Sequence, residues 1–230
     1  MTVSHSYREF IQNPCAYPMI DPRATALTKA RYNRIARVYD WMEILLERRA
    51  KAWRERLWSK VQPGKVLEVG IGTGKNMPYY PRDTEITGID LSDAMLAEAG
   101  KRATRDNIPV DLREMDVQAL AFRDHTYDAA VATFVFCSVP DPIEGLRQLA
   151  RVVKPGGQIL LLEHVRLEQP VLGRLMDMLN PMVVRMMGAN INRRTLDNVV
   201  KAGLAVESVE DLTPNGLIKL IIARPRLGKL

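Results

Sequence analysis

The stretch KVLEVGIGTGKN, Lys65 to Asn76, decides how this chain is read. An apolar run ends in glycines at every second position, Gly70, Gly72 and Gly74. A buried strand that runs into a glycine-rich turn lets backbone approach a ligand closely, because no Cβ intervenes. The dinucleotide fingerprint G-x-G-x-x-G places its third glycine three residues after the second. Here the pattern is G-x-G-x-G, with Lys75 at the next position. The spacing favours a nucleoside ligand other than a dinucleotide.

Two acidic residues extend the reading outward. Asp90 ends the second strand, twenty residues past Gly70, where a carboxylate can accept hydrogen bonds from both ribose hydroxyls. Asp116 follows the third strand in EMDVQ; it could accept from an adenine amino group while Val117 donates its backbone N–H. Glycines, ribose carboxylate and adenine carboxylate would then lie in order across three adjacent strand ends. That layout suits an adenosine whose other end is an amino acid. The plainer roles, a strand-end carboxylate for Asp90 and a turn residue for Asp116, stay open.

Around this centre strands and helices alternate. EITGID and VDLREMD read as the second and third strands, and SDAMLAEAGKRATRD as a helix with Ser92 as its N-cap. YDAAVATFVF is a fourth strand, and the helix DPIEGLRQLARVV stops at KPGG before strand QILLLEH. A basic turn at Asn192 to Arg194 precedes helix TLDNVVKAG, and strands AVESVEDL and LIKLIIARP close the chain. Such alternation predicts an α/β fold with a doubly wound, mostly parallel sheet. Residues 1–28, with Pro14, Pro18 and Pro22, read as an arm, and 29–230 as a single domain. From Lys29 to Lys60 apolar residues recur at helical steps, forming an N-terminal helical extension.

One segment breaks the alternation. Between about residues 165 and 192, Leu172, Leu175, Met176 and Leu179 share a helical face, which Met182, Val183, Met186 and Met187 repeat after Pro181. Five of the eleven methionines lie here. The segment reads as a helical insertion, either a hairpin packed on the core or a lid over an acceptor pocket, since unbranched methionine adapts to irregular apolar ligands.

Composition narrows the function classes. Of the 230 residues 47% are hydrophobic and 26% charged, as in ordinary globular domains. Two cysteines, Cys15 and Cys137, do not suggest a disulfide framework. The N-terminus lacks the apolar middle of a secretory signal, and a cytoplasmic location is expected. The formal charge is +6, and nine basic residues face four acidic ones between Arg31 and Lys60. A solvated helix face is the plain explanation. Peripheral contact with an anionic membrane at the inner face is the sharper one. No nucleic-acid reading motif accompanies the charge, and no nucleic-acid partner is expected.

The segments VLEVGIGTG, GIDLSDAML, MDVQAL, YDAAVATFVFCSV and RVVKPGGQILLLEH resemble, in order and spacing, the motifs of class I S-adenosylmethionine-dependent methyltransferases. The resemblance runs from about Lys29 to Pro225. It implies a Rossmann-like seven-stranded fold, S-adenosyl-L-methionine as cofactor, S-adenosyl-L-homocysteine as product, and no metal. Carried over, Glu68, Gly70, Gly72, Gly74 and Asn76 surround the methionine part. Asp90 holds the ribose, Leu91 and Met95 flank the adenine, and Asp116 and Val117 fix its edge. Thr133 and Phe134 line the sulfonium side. YNRIARVYD is similar to the N-terminal helix of the family's quinone and phospholipid branches, which implies that Tyr32 and Tyr39 close over the cofactor.

Methyl transfer chiefly needs a nucleophile brought in line with the methyl carbon, so a catalytic residue is optional. His164, closing LLLEH, is the candidate general base, against the plainer role of a strand-end histidine bonded to a loop. Phe136, Cys137, Met176, Asn190, Asn192 and Arg193 are the candidate acceptor pocket. Resemblance points to thiol or sulfide acceptors, to phosphatidylethanolamine amines, and to ubiquinone or menaquinone precursors. Two other classes stay open: a nicotinamide-dependent oxidoreductase and a non-catalytic membrane-binding module.

Overall fold

The computed structural model describes residues 20–42 and 44–226, with the side chains of residues 37–42, 44–48 and 186–187 outside the description. Helices α1 (Pro22–Met42) and α2 (Ile44–Trp58) precede the sheet strands β1 (Lys65–Val69), β2 (Glu85–Asp90), β3 (Asp111–Glu114), β4 (Tyr127–Thr133) and β5 (Val153–His164). Helices α3 (Asp93–Asp106) and α4 (Pro142–Val152) cross between them. After β5 come α5 (Pro170–Met187), α6 (Thr195–Lys201), β6 (Leu204–Asp211) and β7 (Ile218–Pro225).

Among the described residues one seven-stranded sheet forms, in the order β3-β2-β1-β4-β5-β7-β6. Strands β1 to β5 pair in parallel, and β7 runs antiparallel between β5 and β6. Both sheet faces are buried, so the central strands are mostly apolar and alternate between two cores, with Glu68 of β1 and Glu163 of β5 as buried exceptions. Leu67 and Val69 of β1, Ile159 and Leu161 of β5 and Ile221 of β7 join one core, which α4 covers with Leu146, Leu149 and Val152. Val66, Leu160, Leu162 and Leu220 point to the other, which α2 covers with Leu57 and Trp58. The chain order reverses at β1, with β2 on one side and β4 on the other. A crevice opens at such a switch point, beyond the strands' C-terminal ends.

Local signals explain most boundaries. Ser92 Oγ accepts from Met95 N at 3.1 Å and so caps α3. Asp141 caps α4, its Oδ1 accepting from the N–H groups of Ile143 and Glu144.

Four boundaries differ from the sequence reading. The arm ends earlier, because Asp21 Oδ1 accepts from Arg23 N and Ala24 N while Pro22 takes the first helical position, where its missing N–H costs nothing. The arm's residues 1–19 lie outside the described residues. The fourth strand stops at Thr133, since Phe134 turns to φ +57. KPGG belongs to β5, whose pairing slips from Tyr127↔Val153 to Ala129↔Gln158 around the bulge. The insertion is one continuous helix, α5, and not a hairpin. Pro181 sits inside it, removing one backbone bond, while Asn180 beside it bonds Asn190 and Ile191 and holds the segment in place.

Candidate functional site

A cleft opens at the C-terminal ends of β1 to β4. The glycine turn forms its floor. Gly70 has φ +63, and a Cβ there would stand 2.5 Å from Val135 Cγ2, so only glycine fits between the turn after β1 and the turn after β4. Gly72 has φ +56, and the nearest atom to a Cβ built on it is 4.0 Å away. Backbone is thus bare to the cleft at Gly72.

Asp90 sits beside that backbone. Its Oδ2 accepts from Gly72 N at 2.9 Å and its Oδ1 from Ser92 N at 2.9 Å. Burial raises its pKa, opposed by these N–H bonds. Two carboxylate oxygens offer about four lone-pair sites, so capacity remains for two hydroxyl donors. Leu91 and Met95 line the cleft next to it.

Further along the same edge, Asp116 and Val117 line the far end. Asp116 also caps the 3-10 turn Val117–Ala119, its Oδ1 accepting from Gln118 N at 2.9 Å. Gln118 Nε2 and Thr25 Oγ1 donate to its other oxygen at 2.9 and 3.3 Å. The turn role that the sequence left open is present, and it does not remove Asp116 from the cleft.

Thr133, Phe134 and Asn76 line the opposite end. Asn76 is buried and held from three sides. Its Nδ2 donates to Glu68 Oε1 at 2.6 Å and to Thr133 Oγ1 at 3.1 Å, while its Oδ1 accepts from Arg54 Nη1 at 2.8 Å. Glu68 does not reach the cleft. It is fully buried beneath the turn, accepting also from Tyr80 Oη. Burial pushes its carboxyl up to about 7 against those bonds. Gly74 does not line the cleft either; a Cβ there would meet Met77 Sδ at 2.9 Å. Glu68 and Gly74 therefore shape the turn from behind.

Helix α1 straps the open side. Thr25 reaches Asp116, Lys29 bonds Glu114 and Asp93, and Asn33 donates to Asp93 Oδ1 at 2.9 Å. Tyr32 lines the cleft and shares a 2.6 Å hydrogen bond with Ser138 Oγ, in the loop after β4. The side chain of Tyr39 lies outside the described residues.

None of the six residues expected at an acceptor pocket lines this cleft. Phe136 is in the core, packed where Gly145 leaves room. Cys137 is buried, and burial pushes its thiol up to about 12. Met176 Sδ accepts from Leu167 N at 3.4 Å. Asn190 bonds the Cys137 carbonyl, Asn192 bonds Asp177, and Arg193 donates to the Val139 carbonyl at 2.8 Å. Asn190 and Arg193 thus tie the α5–α6 segment to the loop after β4. His164 stands apart as well. Its Nε2 donates to the Asn190 carbonyl at 3.1 Å, and burial lowers its pKa. The bond fixes the ring as the Nε2–H tautomer, but His164 does not line the cleft, so it is not placed to take a proton from a molecule bound there.

Several lining residues escaped the sequence reading, Arg54 and Ser138 among them. Arg54, counted with the basic helix, is 6% exposed and turns into the cleft, 5.9 Å from the Phe134 ring centroid. Ser138 gave no signal beyond its place after the fourth strand.

The residues present fit an adenosyl group carrying an amino acid. Bare backbone stands at Gly72, acceptor capacity at Asp90, the Asp116 carboxylate at the far end, and cationic side chains at Arg54 and Lys75.

Comparison with known proteins agrees with this geometry. Residues 67–161 match the model of the methyltransferase domain family. The phosphatidylethanolamine N-methyltransferase of Cereibacter sphaeroides is 42% identical over 103 residues, which cover 44% of this chain and 51% of that protein. The ubiquinone/menaquinone biosynthesis C-methyltransferase of Ruegeria sp. (strain TM1040) is 31% identical over 169 residues, 70% of this chain and 68% of that one. The chain spans only about half the length of the first of these relatives. Among solved structures, the geranyl diphosphate C-methyltransferase of Streptomyces coelicolor A3(2), crystallised with S-adenosyl-L-homocysteine, superposes with a TM-score of 0.72. The identity is 18%, covering 91% of this chain and 100% of that one. The cyclase SpnF superposes at 0.64 with 21% identity, covering 78% and 81%. These two likenesses concern the fold; a cyclase among them shows that the fold alone does not name the reaction.

Proposed function

Because the chain belongs to the S-adenosylmethionine-dependent methyltransferases, we propose that it transfers a methyl group to an amphipathic acceptor, with the amine of phosphatidylethanolamine first among them. The observation that carries the reading is the meeting, in one cleft, of bare backbone at Gly72, the Asp90 carboxylate and Asp116 across three adjacent strand ends. S-adenosylmethionine supplies a methyl group on a sulfonium, which is a good leaving group. Asp90 accepts from the ribose hydroxyls while its bonds to Gly72 and Ser92 hold it still. Leu91 and Met95 flank the adenine, and Asp116 and Val117 take its edge. Arg54, Lys75 and Asn76 supply charge and hydrogen bonds for the amino-acid end.

Thr133 and Phe134 line the sulfonium side, beside Val135, Val139 and Pro140. That rim is apolar apart from the Tyr32–Ser138 hydroxyl pair, which suits a molecule with both polar and apolar parts. Tyr32 and the α1 strap exclude water from the reacting end. Positioning of this kind is worth about 7–11 kcal/mol, so the reaction needs no nucleophile from Cys137. An ammonium acceptor gives up its proton to bulk water at the cleft mouth before its nitrogen attacks the methyl carbon, and His164 stands outside the cleft.

The phosphatidylethanolamine reading leans on the Cereibacter relative, and a second reading, C-methylation of a quinol, leans on the Ruegeria one. A thiol or sulfide acceptor has no such support. The basic stretch at 31–60 offers a membrane less than its count implies, since Arg54 turns inward and Arg56 bonds Glu210.

The test is release of S-adenosyl-L-homocysteine on phosphatidylethanolamine vesicles, a demethylquinol and an alkyl thiol. Release with the first supports the proposal, and release with the quinol alone favours the second reading. No release, together with no calorimetric heat from S-adenosylmethionine at about 100 μM protein, sinks both. NADH fluorescence enhancement would revive the oxidoreductase.

A further inference from the structure

We propose that α5 is a lipid-docking helix which lays the cleft rim against an anionic bilayer. Six of its apolar residues are exposed, led by Val171 at 78%, Met178 at 70% and Met182 at 57%, with Leu172, Leu175 and Leu179 beside them. At 100° per residue these six fall within roughly a third of the helix circumference. Single exposed hydrophobics need no explanation, whereas a contiguous stripe along one helix does.

The opposite side of α5 is where the body holds it, and it does so through polar bonds. Asp177 takes Arg166 at 2.8 Å, and Asn180 bonds both Asn190 Oδ1 and Ile191 N. Met176 Sδ accepts from Leu167 N. The helix is therefore tethered with its apolar face outward, which is the reverse of ordinary core packing.

Charge selects the occupant. Arg174 and Arg185 are exposed and flank the stripe along one edge. The single acidic residue of α5, Asp177, is engaged by Arg166. From Arg166 to Arg194 five basic residues face two acidic ones, Glu168 and Asp177. An apolar stripe edged with arginine suits an interface of anionic headgroups over acyl chains. A second copy suits it less well, because an antiparallel twofold pairing of this face would bring the arginine edges together, with Glu168 the one carboxylate of the segment outside the Arg166 pair.

The tethers also place the surface. Asn190 bonds the Cys137 carbonyl and Arg193 the Val139 carbonyl, and Ser138, Val139 and Pro140 line the cleft. A Cβ on Gly188, just past α5, would stand 3.0 Å from Arg31 Cδ, next to Tyr32 on the strap. The inference holds whichever acceptor the cleft takes.

Flotation of the full chain with phosphatidylcholine vesicles, with and without phosphatidylglycerol, tests it. The chain should float with the anionic vesicles and weakly with the neutral ones. Met178→Glu with Met182→Glu should cut the bound fraction by about tenfold or more. Arg174→Gln with Arg185→Gln should remove the preference for phosphatidylglycerol, and Arg49→Gln with Arg56→Gln on α2 should change nothing. No flotation overturns the proposal. So does flotation that survives the methionine pair or is lost with the α2 pair, and so does a dimer, seen by light scattering, that the methionine pair dissociates in a chain that does not float. Should the double variant melt early, Val171→Glu at the most exposed position takes its place, with loss of flotation expected and full retention overturning the proposal.

Discussion

Replacing Glu163 by Gln should flatten the pH dependence of this protein's stability, and the size of the effect follows from one buried carboxyl. Glu163 lies at the end of β5 with no exposed surface. Its Oε1 accepts from Val135 N at 2.9 Å and Phe136 N at 3.0 Å, and its Oε2 has no partner among the described residues. It thereby holds the turn in which Phe134 takes its left-handed φ of +57, a strained conformation at the cleft wall. Burial pushes the carboxyl up to about 7 from 4.5, against those two N–H bonds. Between these values the folded chain keeps a proton that the unfolded chain releases. Its contribution is therefore fully present below about pH 4.5, is lost as the pH rises, and is gone above about 7, a span of about 3 kcal/mol. The glutamine keeps an oxygen for Val135 and Phe136 but puts an amide where Oε2 lacked a partner, costing about 1–3 kcal/mol at every pH. Wild type should thus be the more stable chain near pH 5, with the gap closing or reversing near pH 8. Urea unfolding followed by circular dichroism reads this directly. Glu68 titrates in both chains and cancels from the difference. Parallel loss of stability in the two chains would refute the reasoning.

The other predictions concern the cleft and its rim. Asp90→Ala should weaken S-adenosyl-L-homocysteine binding by about 1–3 kcal/mol, read by calorimetry; unchanged affinity removes the ribose role. Gly70→Ala sets a Cβ 2.5 Å from Val135 at a φ of +63 and should cost about 1–3 kcal/mol of stability, measured by thermal unfolding; an unchanged Tm would show that the two turns do not meet. Tyr32→Phe deletes the bond to Ser138 and should raise the cofactor KM or Kd severalfold, about 0.5–1.5 kcal/mol, with thermal stability nearly intact. His164→Gln should leave kcat and its pH profile as they are, and a lost limb in that profile would restore the histidine as a base.

Much of the site was legible because its chemistry is local. Gly70 and Gly72 announce a bend that side chains would obstruct, and Asp90 announces itself by its distance from them. Ser92 could be read as a cap from its neighbours alone. The acceptor side was not legible, since Asn190, Asn192 and Arg193 carry the polarity expected of a binding pocket but spend it elsewhere, Asn190 and Arg193 on the loop carbonyls of Cys137 and Val139 and Asn192 on Asp177. Arg54 was misread for the opposite reason. In a helix of alternating charges nothing distinguishes the one arginine that meets a buried asparagine twenty-two residues away.

The sequence by itself determined the parallel sheet, the order of its elements and the edge on which a nucleoside would lie, because strand periodicity, turn glycines and strand-end carboxylates act within a few residues of one another. Only the tertiary structure decided which polar groups face the cleft and which way α5 turns its methionines. Both depend on pairings that no local rule announces, eleven residues apart for Arg166 with Asp177 and fifty-three for Asn190 with Cys137. A helical stripe looks the same whether it faces a core or the outside; the polar tethers on its reverse side are what turn it outward.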